Sequence, residues 1–369
     1  FRIGKPRLSS DIGSAAIFDI ARGWLRDCRH HHAECLQESL PTLPTRVIDI
    51  GPSKSSSVPR PRLVITKGLI RGDYISLSHC WGGDIATTLT AETLGPFRIS
   101  LPYTELPQNF RDAITITREL GVRYLWIDSL CILQDCAPDW AAEAARMGSV
   151  YGNATVTILA MAAVNSSSGI LRPFPPAQRL TYSLPNRQDQ VTAKLVDPEQ
   201  ESMETMDDLW ENSRLTRRGW TLQEFVFSPR QLYYGRQQIY CTCPKGFKSA
   251  DDEILRGVPV LHKEVSCTLY CHRLSTVSET VADCQTLLLG WYSLVDQYSQ
   301  RALTIPSDKL PAISGIASGL YPALGGDYLA GIWTCDLAHG LMWRRGYLGP
   351  DSTKSAISPS DTLAPSWPW

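Results

Sequence analysis

Tyr74-Ile-Ser-Leu-Ser78, Val122-Arg-Tyr-Leu-Trp-Ile127 and Thr155-Val-Thr-Ile-Leu-Ala160 are three short apolar runs, rich in β-branched and aromatic residues. Runs of that length and composition read as strands buried on both faces. Between the first two, Pro107 to Leu120 reads as a helix with Phe110, Ala113, Ile114, Thr117 and Leu120 on one face and Gly121 as its stop. Between the second and third, Pro138 to Tyr151 reads as a helix whose inward stripe is Trp140, Ala144, Met147 and Tyr151. Strand, helix, strand, helix, strand predicts an α/β fold with a parallel sheet joined by right-handed crossovers.

Outward from this centre the signals are coarser. Ile17 to Leu40 reads as a helix, with Ile17, Ile20, Trp24 and Cys28 near helical spacing. The Pro- and Ser-rich stretch Gly51 to Pro61 reads as a loop, and Leu63 to Ile70 as a strand. Downstream, Ser166 to Asp208 is a polar insertion, Arg230 to Cys243 a strand pair, and the chain beyond Asp251 mainly helical, notably Cys284 to Tyr298. These boundaries predict a helical lead over 1–45, an α/β core over 46–245 and a mainly helical region over 246–369.

The chain has 369 residues, with 36 Lys and Arg against 37 Asp and Glu, for a formal net charge of -1. That balance argues against a nucleic-acid partner, which calls for a basic surplus. No apolar run approaches the roughly 20 residues of a membrane span. The opening residues carry Arg2, Lys5 and Arg7 and do not resemble a secretory signal. Eleven scattered cysteines suit reduced thiols and a cytoplasmic location better than a disulfide framework. The chain stops at Trp369 with no helix or strand closing it, as a fragment would.

Three motifs occur in order: Tyr74-Ile-Ser-Leu-Ser-His-Cys-Trp-Gly82, then Tyr124-Leu-Trp-Ile-Asp-Ser-Leu-Cys-Ile-Leu-Gln-Asp135 with Asp139-Trp140 and Glu143, then Arg218-Gly-Trp-Thr-Leu-Gln-Glu224. Together they resemble the HET (heterokaryon incompatibility) domain of filamentous fungi, over roughly Arg46 to Cys243. The flanks are similar to those of HET proteins too: Trp24, Cys28, His32 and Cys35 before, and Ser307 to Leu310, Leu329 to Trp333 and Ala364 to Trp367 after. The resemblance implies a role in nonself recognition and programmed cell death. It also implies a core distantly similar to TIR domains, with a flavodoxin-like sheet. Some TIR domains cleave NAD through a glutamate on a helix opening with Asp-Trp, which by resemblance points to Glu143.

The residues themselves suggest where chemistry would sit. Ligands of open α/β sheets bind beyond the carboxyl ends of the strands. One strand here ends in Ser78, His79, Cys80 and Trp81, followed by Gly82-Gly83, and another in Asp128, Ser129 and Cys131. If adjacent, they place an imidazole, thiols and a carboxylate around one crevice, where Gly82 lets a ligand approach the backbone. The plainer reading is that Ser and His satisfy loop hydrogen bonds and that Cys80 and Cys131 pack as small hydrophobes. Glu143 is either a partly desolvated acid, fit to stabilise an oxocarbenium-like ribose, or the salt-bridge partner of Arg146. Arg218 and Trp220 lead into Thr221-x-x-Glu224, which reads as a capping box or as an anion site at a helix start. Cys28-x3-His32-x2-Cys35 shares one helical face. Thiolate and imidazole suit zinc, but a structural site takes four ligands. Cys241 or Cys243 supplies the fourth only if the fold brings it near, and buried packing is the favoured reading.

Three functions follow as expectations. The first is hydrolysis of NAD-type nucleotides, with Glu143 as the acid and Asp128, His79, Trp81 and Arg218 in the pocket. The second is an enzyme of small-molecule biosynthesis, with Cys131 or Cys80 as nucleophile and His79 as base, or with Asp128 and Glu143 as an acid–base pair. The third is a non-enzymatic, self-associating signalling module.

Overall fold

The computed structural model describes residues 11–35, 39–52, 60–174, 179–183, 190–194, 204–251, 266 and 284–342. The chain divides into two compact units. One comprises Phe1–Trp140, Asn153–Thr216 and Pro229–Val258, and the other Ala141–Gly152, Arg217–Ser228 and Pro259–Trp369.

The first unit holds an eight-stranded sheet. In chain order its strands are β1 (Arg46–Asp49), β2 (Arg62–Ile65), β3 (Tyr74–Ser78), β4 (Tyr124–Trp126) and β5 (Val156–Leu159). After a separate hairpin of β6 (Arg179–Ser183) and β7 (Gln190–Lys194) come β8 (Gln231–Tyr234), β9 (Ile239–Cys243) and β10 (Gly246–Ser249). The spatial order is β10-β9-β8-β5-β3-β4-β1-β2. Its centre is parallel: β3 pairs with β4 and β5, and β5 with β8. Every residue of β3 and β5 is buried, as apolar strands covered on both faces require. One polar step across this centre, Ser76 to Thr157, is closed by an Oγ–Oγ1 hydrogen bond of 2.8 Å.

The expectation of a parallel sheet holds for these four strands and is corrected at the margins. β1 runs antiparallel to β4, and β2 to β1. At the other edge β9 and β10 fold back antiparallel as a meander. The connections joining β8, β9 and β10 are only a few residues long and leave no room for a crossover helix, so these strands reverse direction.

Helices α1 (Ala15–His31), α2 (Ala91–Ile99) and α3 (Gln108–Glu119) precede β4, and the short α4 (Asp128–Cys131) follows it. α3 buries Phe110, Ala113, Ile114 and Thr117 as its periodicity demands, and ends before Gly121 at φ +79°. α1 is shorter than its sequence suggests. Its buried stripe is Ile17, Phe18, Ala21, Leu25 and Cys28, with Ile20 and Trp24 only half-buried. α2 carries a Pro at its sixth position and escapes a periodicity reading. It is set by a capping box in which Thr90 and Thr93 exchange side-chain and backbone bonds.

The helix expected over Pro138 to Tyr151 is two helices, α5 (Ala137–Ala144) and α6 (Met147–Asn153). The chain tightens between them through an Arg146 N–H bond to the Glu143 carbonyl, 2.9 Å, three residues back instead of four. α7 (Met206–Asn212) begins at the end of the stretch read as an insertion and runs beyond it.

The second unit is mainly helical among its described residues. Its core joins α8 (Thr221–Phe227) to the helices Cys284–Ser299 and Pro311–Leu324, with Trp291, Ile316 and Trp333 fully enclosed. The flank motif at Ala364 to Trp367, and the stretches 252–265, 267–283 and 343–369 of the region expected to be helical, lie outside the described residues. Among the described residues no helix is long and apolar enough to cross a membrane.

Candidate functional site

Two strand ends do come together. The Trp81 indole Nε1–H, beyond β3, donates to Asp128 Oδ2, beyond β4, at 2.9 Å. Asp128 Oδ1 accepts the Ser129 N–H at 2.7 Å, so this one carboxylate holds both turns. Around it the packing is dense. His79 is 3% exposed and sits edge-on against Phe110, ring centroids 5.1 Å apart. Cys80 and Cys131 are buried thiols. Ser78 Oγ and Ser129 Oγ are buried without a hydrogen-bond partner among the described residues. Gly82 does allow a close approach, but to the chain itself: a Cβ there would lie 2.1 Å from Asn165 Cβ.

The helix that follows is pinned by its first acid. Asp139 takes a forked pair of bonds from the buried Arg46 guanidinium and also accepts the Leu133 N–H at 2.9 Å. Glu143 belongs to the second unit. It is 3% exposed and pairs with Arg146 at 3.0 Å. Of the two readings, the ion pair with Arg146 is formed, on a buried carboxylate.

Arg218, Trp220 and Glu224 also belong to the second unit. The capping box expected at Thr221 is not formed: α8 starts after Trp220 without a side-chain cap, and Thr221 Oγ1 donates to the Arg218 carbonyl at 2.8 Å. The Trp220 indole donates to Asp308 at 3.0 Å. Arg301 donates to the Arg218 carbonyl and to Thr221 Oγ1, and its guanidinium is attracted to the buried Glu224. Burial lowers Arg301 to about 10, and the charge of Glu224 opposes that fall. Here the third sequence motif joins α8 to the segment around Asp308, part of another motif of the sequence.

An open cleft lies beyond the carboxyl ends of two of the parallel strands. It measures about 470 Å³ and opens past β5, at Met161 and Ala162, and past β8, at Gly235 and Arg236. Its lining combines Arg172, Arg214 and Arg236 with an apolar floor that includes Ile12, Met161 and Leu209. Arg172 is steadied by a 3.2 Å bond to the Ala162 carbonyl. Arg214 makes no ion pair among the described residues. Beside Arg236 lies Glu204, whose buried carboxyl is pushed above its usual range by desolvation, against the lowering effect of the Arg236 N–H bond at 2.7 Å. Sequence reading passed over these residues. Each arginine follows a strand, a turn or a helix end, and nothing in a linear pattern marks three such positions as neighbours.

The cysteines form a second constellation. Cys28, His32, Cys35 and Cys243 place their sulfur and nitrogen atoms all within 4.8 Å of one another. Cys243, and not the deeper Cys241, is the residue brought near. Hydrogen bonding to the Cys28 and Cys35 thiols holds Cys243 far below the ordinary thiol range, and the same contacts push Cys35 and Cys28 up.

Against known families, residues 74–224 match the model described as heterokaryon incompatibility protein (HET). No match was found among curated proteins or solved structures.

Proposed function

We propose that this chain, which carries a HET domain over residues 74–224, handles a phosphate-bearing nucleotide of the NAD class, bound in the arginine-lined cleft. The observation that carries the reading is the cleft itself. Three arginines line about 470 Å³ of space beyond parallel strand ends, a volume within the usual range for small-ligand sites. Guanidinium forks suit phosphate oxygens, and an apolar floor suits a base or nicotinamide ring. The parallel order β4-β3-β5-β8 supports a flavodoxin-like and hence TIR-like core, in which ligands lie outside carboxyl ends near the point where the winding reverses.

Cleavage of the nicotinamide–ribose bond is the finer proposal. Glu143, in the second unit, is its acid by resemblance alone. Asp128, His79 and Trp81 then shape the strand ends, and Arg218, Trp220 and Glu224 hold α8. Ser78, Ser129 and Gly82 belong to the same turns. The burial of Cys80 and Cys131 favours packing over nucleophilic work, since enclosed thiols are inert.

The test is calorimetric titration of the full chain with NAD and with ADP-ribose. Binding that weakens about tenfold or more on Arg172→Ala or Arg214→Ala supports the cleft. No binding, or binding indifferent to both substitutions, overturns it. Nicotinamide release that persists in Glu143→Gln removes Glu143 from the chemistry while leaving the binding reading intact.

A further inference from the structure

We propose that Cys28, His32, Cys35 and Cys243 form a structural zinc site that fastens the N-terminal helix to the edge of the sheet. Four donors of the right chemistry meet here, three sulfurs and one imidazole nitrogen. A Cys₃His set is one of the standard closed tetrahedral arrangements for zinc. Tetrahedral Zn–S and Zn–N bonds of about 2.3 and 2.1 Å place neighbouring donors about 3.6 Å apart. The His32 Nδ1 atom lies 3.4 Å from Cys243 Sγ and 3.9 Å from Cys35 Sγ. The gap between the donors is thus of the size one zinc ion spans.

The surroundings are those of a metal site. His32 turns Nδ1 to the sulfurs and Nε2 to Asp27 Oδ2, 3.6 Å away. A carboxylate behind the second ring nitrogen fixes the tautomer and orientation of a ligating histidine. Asp27 is itself held by Lys248 of β10 at 2.5 Å. Around the sulfurs, positive groups face the charge that three thiolates would bring. Arg230 Nε donates to Cys28 Sγ at 3.2 Å, and its other nitrogens reach the carbonyls of Cys35 and Thr155. The backbone N–H groups of Lys245 and Gly246, at the turn between β9 and β10, point at Cys243 Sγ. All nine cysteines among the described residues are free thiols, so no disulfide competes for these sulfurs.

On binding, each of the three thiols releases its proton to solvent and gives its sulfur lone pair to Zn²⁺, while neutral His32 gives the Nδ1 lone pair. Three thiolates and one dication leave a net charge of one unit negative at the centre, beside Arg230. No coordination position is left for substrate, so the role is structural. The site joins residues 211 positions apart. This inference is independent of the nucleotide reading.

The experiment uses the full chain purified without chelator. Metal analysis is expected to give one zinc per chain. Titration with an organomercurial is expected to release that zinc as three thiols react, read with a zinc-sensitive dye on the wild-type protein. Cobalt in place of zinc is expected to show the visible bands and near-ultraviolet thiolate charge transfer of tetrahedral Co²⁺. Asp27→Asn is expected to weaken zinc affinity about tenfold, and Cys243→Ser to lose stoichiometric zinc, while Cys241→Ser and Cys136→Ser keep it. Zinc absent or well below stoichiometry, zinc retained in Cys243→Ser, or cobalt spectra lacking thiolate bands would overturn the proposal. If Cys243→Ser does not fold, the mercurial titration and the cobalt spectrum of the wild type decide alone.

Discussion

Trp81 and Asp128 are joined by an indole-to-carboxylate hydrogen bond of 2.9 Å. Each residue follows a different central strand, β3 and β4, and both are half-buried. The bond therefore couples two turns that are 47 residues apart, and Asp128 makes the junction because its other oxygen caps the Ser129 N–H.

Removing either partner should show that coupling. Trp81→Phe loses the indole N–H together with part of the ring, at a cost of at least about 1 kcal/mol. Asp128→Ala strips acceptors from two donors and is expected to cost about 2–3 kcal/mol. Urea unfolding of both single variants and of the double variant checks this. The double variant is expected to be less destabilised than the sum of the singles. Strict additivity would mean the bond contributes nothing.

Arg46 is 5% exposed, and its guanidinium is paired with Asp139. Asp139→Ala leaves that charge buried and uncompensated, with an expected loss of about 3–5 kcal/mol. Replacing both residues with apolar ones of similar volume, Arg46→Met with Asp139→Leu, is expected to recover a large part of that loss. Thermal denaturation of the three proteins distinguishes the outcomes. Equal melting temperatures for Asp139→Ala and wild type would show that the pair does not stabilise the fold.

Glu204 gives a pH-dependent test. Its folded-state carboxyl is raised above the ordinary carboxylate range by burial, so the folded protein holds this proton more tightly than the unfolded chain does. The group therefore lowers stability as pH rises from its unfolded to its folded value, and the full deficit persists above. Glu204→Gln keeps an oxygen acceptor for the Arg236 N–H and carries no charge. Its melting temperature is expected to exceed that of wild type at neutral pH, and the difference to vanish below about pH 4, where the unfolded carboxyl is protonated. A difference of constant size across that range would contradict the assignment.

Two glycines with similar backbone angles separate strain from crowding. Gly82 and Gly121 have φ of +72° and +79°. A Cβ on Gly121 meets open space, whereas one on Gly82 would lie 2.7 Å from the Asn165 Cα. Gly121→Ala is expected to cost about 1 kcal/mol. Gly82→Ala adds displacement of a backbone segment to the same strain and is expected to cost at least about 2 kcal/mol. Chemical denaturation of both variants reads the difference. Equal losses would show that the Asn165 segment yields freely.

Tyr74–Ser78, Tyr124–Trp126 and Val156–Leu159 could be read directly because their apolar, β-branched runs are local properties. The same holds for α3, where a 3.6-residue stripe and a stop at Gly121 coincide. α2 was not legible, since Pro96 within it contradicts helix propensity and a threonine cap overrides that signal. Of the candidate residues, the chain order already placed Trp81 and Asp128 after parallel strands. It gave no sign that His79 would be sealed against Phe110, or that Glu143 and Glu224 would be grouped apart from them.

Periodicity, composition and motif order along the chain were enough for the α/β class, the central strands and the HET family, because backbone propensity and burial on two faces act over a few neighbouring residues. The antiparallel edges, the three arginines around one cleft and the arrival of Cys243 beside Cys28, His32 and Cys35 came from packing. Such encounters depend on how a turn of a few residues directs strands and helices separated by up to 221 positions, and the free energy that selects them belongs to contacts that exist only once the sheet has formed.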